Sequence, residues 1–186
     1  MRIIGGKAKG TKLYTLEGEN TRPTLDRVRE SLFNILQYEL SDSIFLDLFS
    51  GSGACGIEAV SRGVKKAILC DKSKRAIEII KKNVAKTHIE EKVEIYQLGF
   101  EELLKTKIKE KPDIVFIDPP YQTDYAYQAI KIMLENNLIK EETILIIETN
   151  QEKRIKEEIE ELEIEIMDER KYGRVHLMFL RQKRKG

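Results

Sequence analysis

Cysteine and histidine are scarce in this chain: Cys55, Cys70, His88 and His176 are all it has, and no two of them stand in a CxxC or HxxxH spacing. No metal site is expected, and these residues read as packing or surface positions. Proline is also sparse, at 4 of 186 residues, and no low-complexity tract interrupts the chain. Together with 41% hydrophobic and 35% charged residues, this suits one globular domain over residues 1–186. No run approaches the roughly 20 apolar residues of a membrane span. The opening MRIIGGKAKG lacks the apolar core of a signal peptide, so the expectation is a soluble, cytoplasmic protein with no membrane partner. A net charge of one sign is missing too: the chain sums to +1.

That near-neutrality hides an uneven distribution. Residues 1–16 carry Arg2, Lys7, Lys9 and Lys12 without an acid, and residues 181–186 carry Arg181, Lys183, Arg184 and Lys185. The body between them is net acidic. Basic ends can be solvated tails, or they can be phosphate contacts that release counterions and add sequence-independent affinity. The N-terminal group sits among Gly5, Gly6 and Gly10 and the strand-like Ile3-Ile4 and Lys12 to Tyr14. Residues 1–20 therefore read as a basic hairpin extension to a fold occupying 21–186. Arg2, Lys7, Lys9 and Lys12, with Arg27 beyond them, are the candidate nucleic-acid contacts.

Helical spacing of Leu25, Val28, Leu32, Phe33, Ile35 and Leu36 predicts an amphipathic helix over 24–38, capped by Thr24, with Arg27, Arg29 and Glu30 on its other face. Apolar strand-like runs follow at 44–49, 67–70, 93–98, 113–118 and 143–149, alternating with helical patterns near 54–62, 73–87, 100–108, 124–136 and 151–161. Such alternation implies an α/β fold with a mostly parallel sheet covered on both faces. Two further runs, 163–169 and 175–181, are joined by Lys171-Tyr172-Gly173-Arg174, too short for a crossover. They predict a C-terminal antiparallel hairpin. Ligands of such open sheets bind outside the carboxyl ends of the strands. The unusual residues gather there: Asp47 to Gly53, Asp71, Gly99-Phe100 and Asp118 to Tyr121.

The stretch DLFSGSGACG holds Gly51, Gly53 and Gly56 in G-x-G-x-x-G spacing, with Asp71 eighteen residues after Gly53. This meets the bare dinucleotide fingerprint, so an NAD-dependent oxidoreductase is a rival reading. Asp71 can accept from both ribose hydroxyls of either a dinucleotide or S-adenosylmethionine. Asp47 discriminates between them. A carboxylate four residues before Gly51 would repel a pyrophosphate at the helix N-terminus, whereas it suits a ligand bearing an ammonium and a sulfonium. S-adenosylmethionine is therefore the expected cofactor, with Asp47, Gly51, Gly53 and Asp71 as the candidate contacts that these residues themselves supply.

FIDPPYQTDY at 116–125 supplies the chemistry. Proline fixes φ and restricts the residue before it, so Asp118-Pro119-Pro120 leaves the strand stiff and extended. An exocyclic amine is a poor nucleophile because its lone pair is delocalised into the ring. Two preorganised acceptors, the Asp118 carboxylate and the Pro119 carbonyl, would favour a pyramidal nitrogen and free that lone pair. Tyr121 offers a face on which an extruded base can stack. The expected reaction is in-line methyl transfer, with Asp118, Pro119, Pro120 and Tyr121 forming the catalytic set.

RIIGGKAKGTKL at 2–13, RPTLDRVRESLFNIL at 22–36, DLFSGSGACGIEAVSRG at 47–63 and DPPY at 118–121 together resemble, across essentially the whole chain, the RsmD family of 16S ribosomal RNA guanine methyltransferases. The resemblance implies a Rossmann-like class I methyltransferase fold with a seven-stranded sheet. It also implies methylation of a guanine amino group in small-subunit ribosomal RNA, in a small-subunit particle and by a monomer. By it, Gly51, Ser52 and Gly53 form the cofactor loop, Asp71 binds the ribose, Thr24 lies beside the methionine moiety, and Asp118 to Tyr121 form the target pocket. Two positions depart from the pattern. Gly99 replaces the acid or amide that commonly reaches adenine, which leaves adenine to a backbone N–H and to packing by Phe100 as a cofactor contact, and Cys55 replaces an aliphatic residue. A non-catalytic RNA-binding module would explain the basic ends but not three aspartates at one sheet edge. A methyltransferase acting on a protein amide would face the same lone-pair problem, and the basic hairpin argues against it.

Overall fold

Short strands that are apolar along their whole length need cover on both sides, and here helices supply it. The computed structural model describes residues 1–18 and 23–186, with side chains for 1–18 and 25–186. In chain order the elements are α1 (Pro23–Ile35), β1 (Ile44–Asp47), α2 (Ala54–Ser61), β2 (Lys66–Cys70), α3 (Lys74–Thr87), β3 (Val93–Tyr96), α4 (Phe100–Thr106), β4 (Ile114–Ile117), α5 (Tyr125–Glu135), β5 (Ile144–Thr149), α6 (Glu152–Ile159), β6 (Ile164–Tyr172) and β7 (Val175–Gln182). They form one seven-stranded sheet in the order β3-β2-β1-β4-β5-β7-β6. The first five strands are parallel, and β7 runs antiparallel to both β5 and β6. The strand order reverses between β1 and β4, which opens a crevice at their carboxyl ends.

Side-chain alternation along the strands divides the interior in two. Phe45, Leu69, Phe116 and Ile146 face α1, α2 and α3 with Leu32, Phe33, Ile57 and Ile80. Leu46, Ile68, Ile117 and Ile147 face α4, α5 and α6 with Leu103, Ile130, Met133 and Ile155. Each fully buried side chain of this size contributes roughly 1.5–3 kcal/mol over its exposed state. The hairpin turn is tighter than the sequence suggests: β6 runs on to Tyr172, leaving Gly173-Arg174 as a two-residue loop with Gly173 at φ +62°. The β6 edge carries Glu165, Asp168, Glu169, Arg170 and Lys171 and an irregularity between Ile166 and Asp168, features that discourage edge pairing.

Three sequence expectations change. The hairpin of the extension is shorter than the sequence suggests: its arms pair antiparallel around one bridge, Arg2 to Lys12, with Ile3 N–H on the Thr11 carbonyl and Leu13 N–H on the Met1 carbonyl, and Ile4 and Gly5 leave the pairing. The reason is that the backbone donors that follow Ile3 are taken by α2. Ile4 and Gly5 N–H groups donate to the Glu58 carboxylate, Lys7 N–H to the Ser61 carbonyl and Ala8 N–H to Ser61 Oγ. Gly6, at φ +78°, lies so close that a Cβ would fall 1.9 Å from the Ser61 oxygen. Second, α1 ends at Ile35 and begins at Pro23, so Thr24 lies inside the helix, not at its cap. Third, Arg29 is not on the solvent face. It is buried, donating to the Arg2 carbonyl, with Asp26 at 3.4 Å and Glu58 at 3.9 Å. Without these partners the charge would be too costly to bury. The expected boundary between extension and catalytic fold, at residues 20 and 21, lies outside the described residues. Among those described, no helix is long and apolar enough to cross a membrane.

Candidate active site

The crevice at the switch point deepens into a cavity of about 960 Å³. The ends of β1, β2, β3 and β4 all reach it, through Asp47 and Ser50 to Ser52, Asp71, Gly99-Phe100 and Asp118 to Tyr121. Leu25, Val28, Arg29 and Leu32 of α1 and Met1, Leu16 and Glu17 of the extension close it from the first helical layer.

Asp47 is 1% exposed at the end of β1. One oxygen accepts from the Phe49 N–H at 3.2 Å. Burial pushes its carboxyl up to about 7 against that hydrogen bond, and Asp71 and Glu148 push in the same direction. A carboxylate so buried is a site in want of a cation. The loop after it is stitched to β2: Ser50 N–H donates to the Cys70 carbonyl, Ser50 Oγ accepts from Cys70 N–H, and Asp71 accepts from Gly51 N–H at 3.0 Å and Ser73 N–H at 2.9 Å. Each Asp71 oxygen keeps a lone pair for a further donor. Ser52 Oγ is buried with no hydrogen-bond partner among the described residues. Buried cationic demand at Asp47, free acceptor capacity at Asp71 and an orphaned hydroxyl at Ser52 fit S-adenosylmethionine.

The glycines divide their work. Gly51 lines the cavity at φ +56°, whereas Gly53 does not line it. At φ +83°, Gly53 turns the chain into α2 beside Ile57 and Ile80. A Cβ on Gly56 would meet Leu69 Cδ2 at 2.0 Å, so this third glycine serves helix–strand packing. Phe100 heads α4, nearly buried in an aromatic cluster with Phe49 at 5.3 Å and Tyr125 at 5.1 Å between ring centres. It is tilted by 47° and 46° to these rings and still lines the cavity. Glu101 and Glu102, exposed and lining the cavity, bring acids near the strand end where Gly99 has none.

On the other side of the crevice Asp118, Pro120 and Tyr121 are exposed, Tyr121 at 69%. Thr123 Oγ1 donates to the Pro120 carbonyl at 2.8 Å and braces the turn. Burial, Asp118 and Glu148 raise the Tyr121 phenol, keeping it protonated. The thiol of Cys55 is half-buried against the first core, and burial followed by Asp47 raises it well above its usual range. That excludes a thiolate nucleophile at neutral pH.

Of the other sequence candidates, the side chain of Thr24 lies outside the described residues. Lys7, Lys9, Lys12 and Arg27 are exposed but do not line the cavity, and Arg2 is exposed with its guanidinium on the Gly10 carbonyl at 3.1 Å. Arg181 is paired with Glu165 at 2.7 Å, and the C-terminal basic group lies at the opposite sheet edge, since Leu180 pairs with Leu145 while His176 pairs with Thr149. Two site residues were not singled out from sequence. Glu148, the penultimate residue of β5, lines the cavity. Asn83, fully buried on α3, accepts from Tyr14 N–H and donates to the carbonyls of Tyr14 and Ser52, tying the extension to the glycine loop. Among the described residues no group of three or more His, Cys, Asp or Glu side chains is disposed to hold a metal.

The family model described as "Conserved hypothetical protein 95" matches residues 1–181. Ribosomal RNA small subunit methyltransferase D of Haemophilus influenzae is 39% identical over 155 residues, covering 82% of this chain and 80% of that protein. YlbH of Bacillus subtilis, provisionally assigned as an rRNA methyltransferase, is 32% identical over 87% of this chain and 89% of its own. The solved structure of yhhF from Escherichia coli, provisionally assigned as a methyltransferase, superposes with a TM-score of 0.83 at 26% identity, covering 100% of this chain and 99% of that one. These matches displace the dehydrogenase and the non-catalytic module, and the fold is that of a class I methyltransferase. With its glycine loop, its proline-stiffened strand end and its N-terminal extension all accounted for over the matched length, the chain belongs to the RsmD family.

Proposed function

We propose that this protein transfers a methyl group from S-adenosylmethionine to the exocyclic amino group of a guanine in 16S ribosomal RNA, acting on RNA of the small ribosomal subunit. The observation that carries the reading is one cavity that takes in both Asp47 with its glycine loop and the Asp118-Pro119-Pro120-Tyr121 turn. The relatives' names support the ribosomal RNA substrate.

Bound S-adenosylmethionine would supply an electrophilic methyl group. Asp47 offers its buried carboxylate to the cationic part of the ligand, directly or through water and the loop amides. Asp71 holds the ribose hydroxyls, and Glu101 or Glu102 can accept from the adenine amine. Asp118 and the Pro119 carbonyl accept the two N–H bonds of the target amine and direct its lone pair inward. Tyr121 stacks on the base. After transfer the nitrogen is strongly acidic, and its proton passes to Asp118 or to solvent at the exposed rim. No raised pKa is needed at Asp118, and no covalent enzyme intermediate forms.

The decisive experiment is methyl transfer from labelled S-adenosylmethionine to small subunits from cells lacking the endogenous activity, read by nucleoside mass spectrometry. Methylguanosine is expected with the wild type and should vanish with Asp118→Ala while cofactor binding persists. Transfer to no ribosomal RNA, with cofactor binding intact, would redirect the search to other RNA and to protein amides.

A further inference from the structure

Two carboxylates that line the cavity have no part in the reaction above: Glu17, which is paired with Arg75, and Glu148. Glu148 is the penultimate residue of β5, next to β4, whose Phe116 and Ile117 pair with Ile146 and Ile147. Ile146 faces the first core and Ile147 the second. By strand alternation Glu148 points to the same face as Asp47, under α1. It shares the cavity with Asp118, Pro119 and Tyr121. Its position across the switch point is informative. The cofactor features stand on β1, β2 and β3, while Asp118 and Glu148 stand on β4 and β5, the half left for the base.

Burial raises the Glu148 carboxyl, the charge of Asp47 across the cavity opposes its ionisation as well, and no described cation offsets either. An N–H donor from a ligand would relieve that cost. A guanine held at N2 by Asp118 and Pro119 presents such a donor next to the amine, its N1–H. Adenine and cytosine present a lone pair at the ring nitrogen beside their amines. The ionised carboxylate only accepts, so it is satisfied by guanine N1–H, which favours that form; adenine or cytosine would require the protonated form, which is lost as pH rises above neutral.

We propose that Glu148 is the specificity-determining residue that accepts the N1–H of the extruded base and so selects guanine among the amino-bearing bases. The proposal rests on the amino-methyltransferase reading above. Its shape is chemical: a reactive amine gripped by the β4 turn, and the identity of its ring neighbour read from β5.

The test compares small-subunit RNA carrying guanine, at the position that nucleoside mapping identifies, with the same RNA carrying 2-aminopurine there. That analogue keeps the 2-amino group but has a lone pair at N1. Assayed at about pH 8, where the raised Glu148 carboxyl is predominantly ionised, the wild type should favour guanine in kcat/KM by roughly 10- to 100-fold, the range for losing a hydrogen bond to a charged group. Glu148→Gln can rotate its amide to donate to N1 or to accept from N1–H. The ratio should therefore fall to within a few-fold, with an absolute gain on 2-aminopurine. S-adenosylmethionine affinity, measured alongside, reports that the isosteric variant is folded. An unchanged ratio, or an equal loss on both RNAs with cofactor binding intact, overturns the proposal. Failure of the wild type to methylate guanosine in either RNA overturns the amino-methyltransferase reading and this inference with it, and the wild-type arm alone distinguishes that result.

Discussion

Asp47 carries the sharpest consequence at the scale of single residues. Its usual pKa of 3.8 rises to about 7 in the folded state, first through burial. Between these values the folded protein keeps a proton that the unfolded chain releases. Its contribution to stability is therefore full below about pH 4 and falls as pH rises to about 7, by up to about 4 kcal/mol. Asp47→Asn removes that dependence while its amide oxygen can still accept from Phe49. In thermal unfolding of the free protein, the variant should match the wild type near pH 4 and exceed it at pH 8. The same substitution should weaken S-adenosylmethionine binding at pH 8 by tenfold or more, measured by calorimetry. A wild-type advantage at pH 8 in the absence of ligand would show that Asp47 is not a buried charge awaiting a cation.

At the scale of elements, the extension and α2 act as one piece. Glu58 is 0% exposed, accepts from Ile4 and Gly5, and pairs with Arg62 at 2.9 Å. Gly6→Ala would drive a methyl group into the Ser61 carbonyl at an already unfavourable φ. It should cost roughly 1–3 kcal/mol in denaturant unfolding and remove hydrogen-exchange protection from residues 1–14. Gly10, also at positive φ but with nothing within 4 Å of its added Cβ, is the control, and Gly10→Ala should cost less. Asn83 extends the same connection to the glycine loop. Asn83→Ala leaves the Tyr14 and Ser52 backbone groups without its amide, and should weaken cofactor binding more than it alters discrimination between RNA substrates. Equal cofactor affinity in that variant would confine Asn83 to a purely structural tie.

For the whole molecule, the question is which face meets RNA. The extension lies beside the cavity mouth through Met1, Leu16 and Glu17, with Lys7, Lys9 and Lys12 exposed on it. The C-terminal basic group lies at the far edge of the sheet. Reversing the charge of Lys7, Lys9 and Lys12 should therefore weaken RNA binding and reduce the slope of log K against log salt by about 2–3, leaving cofactor affinity unchanged. An unaltered slope would return these lysines to the role of solvated cations. Reversal of Lys183, Arg184 and Lys185 should change the slope little.

The sequence by itself determined the alternation of strands and helices, the antiparallel ending, and the strand ends at which Asp47, Asp71 and Asp118 gather. Those features follow from short-range physics: periodicity within one segment, glycine and proline at a turn, and the rule that open sheets bind ligands at their carboxyl edge. Tertiary structure alone decided the rest. Arg29 reads as a solvent-facing cation on an amphipathic helix until Arg2 and Glu58 come to meet it. Glu148 reads as the polar end of an apolar strand until β5 settles beside β4 and α1 closes over both. Asn83 meets a backbone 69 residues away at Tyr14, and Glu58 one 54 away at Ile4. No local pattern encodes such pairs, because their partners are backbone groups whose positions exist only once the elements have packed.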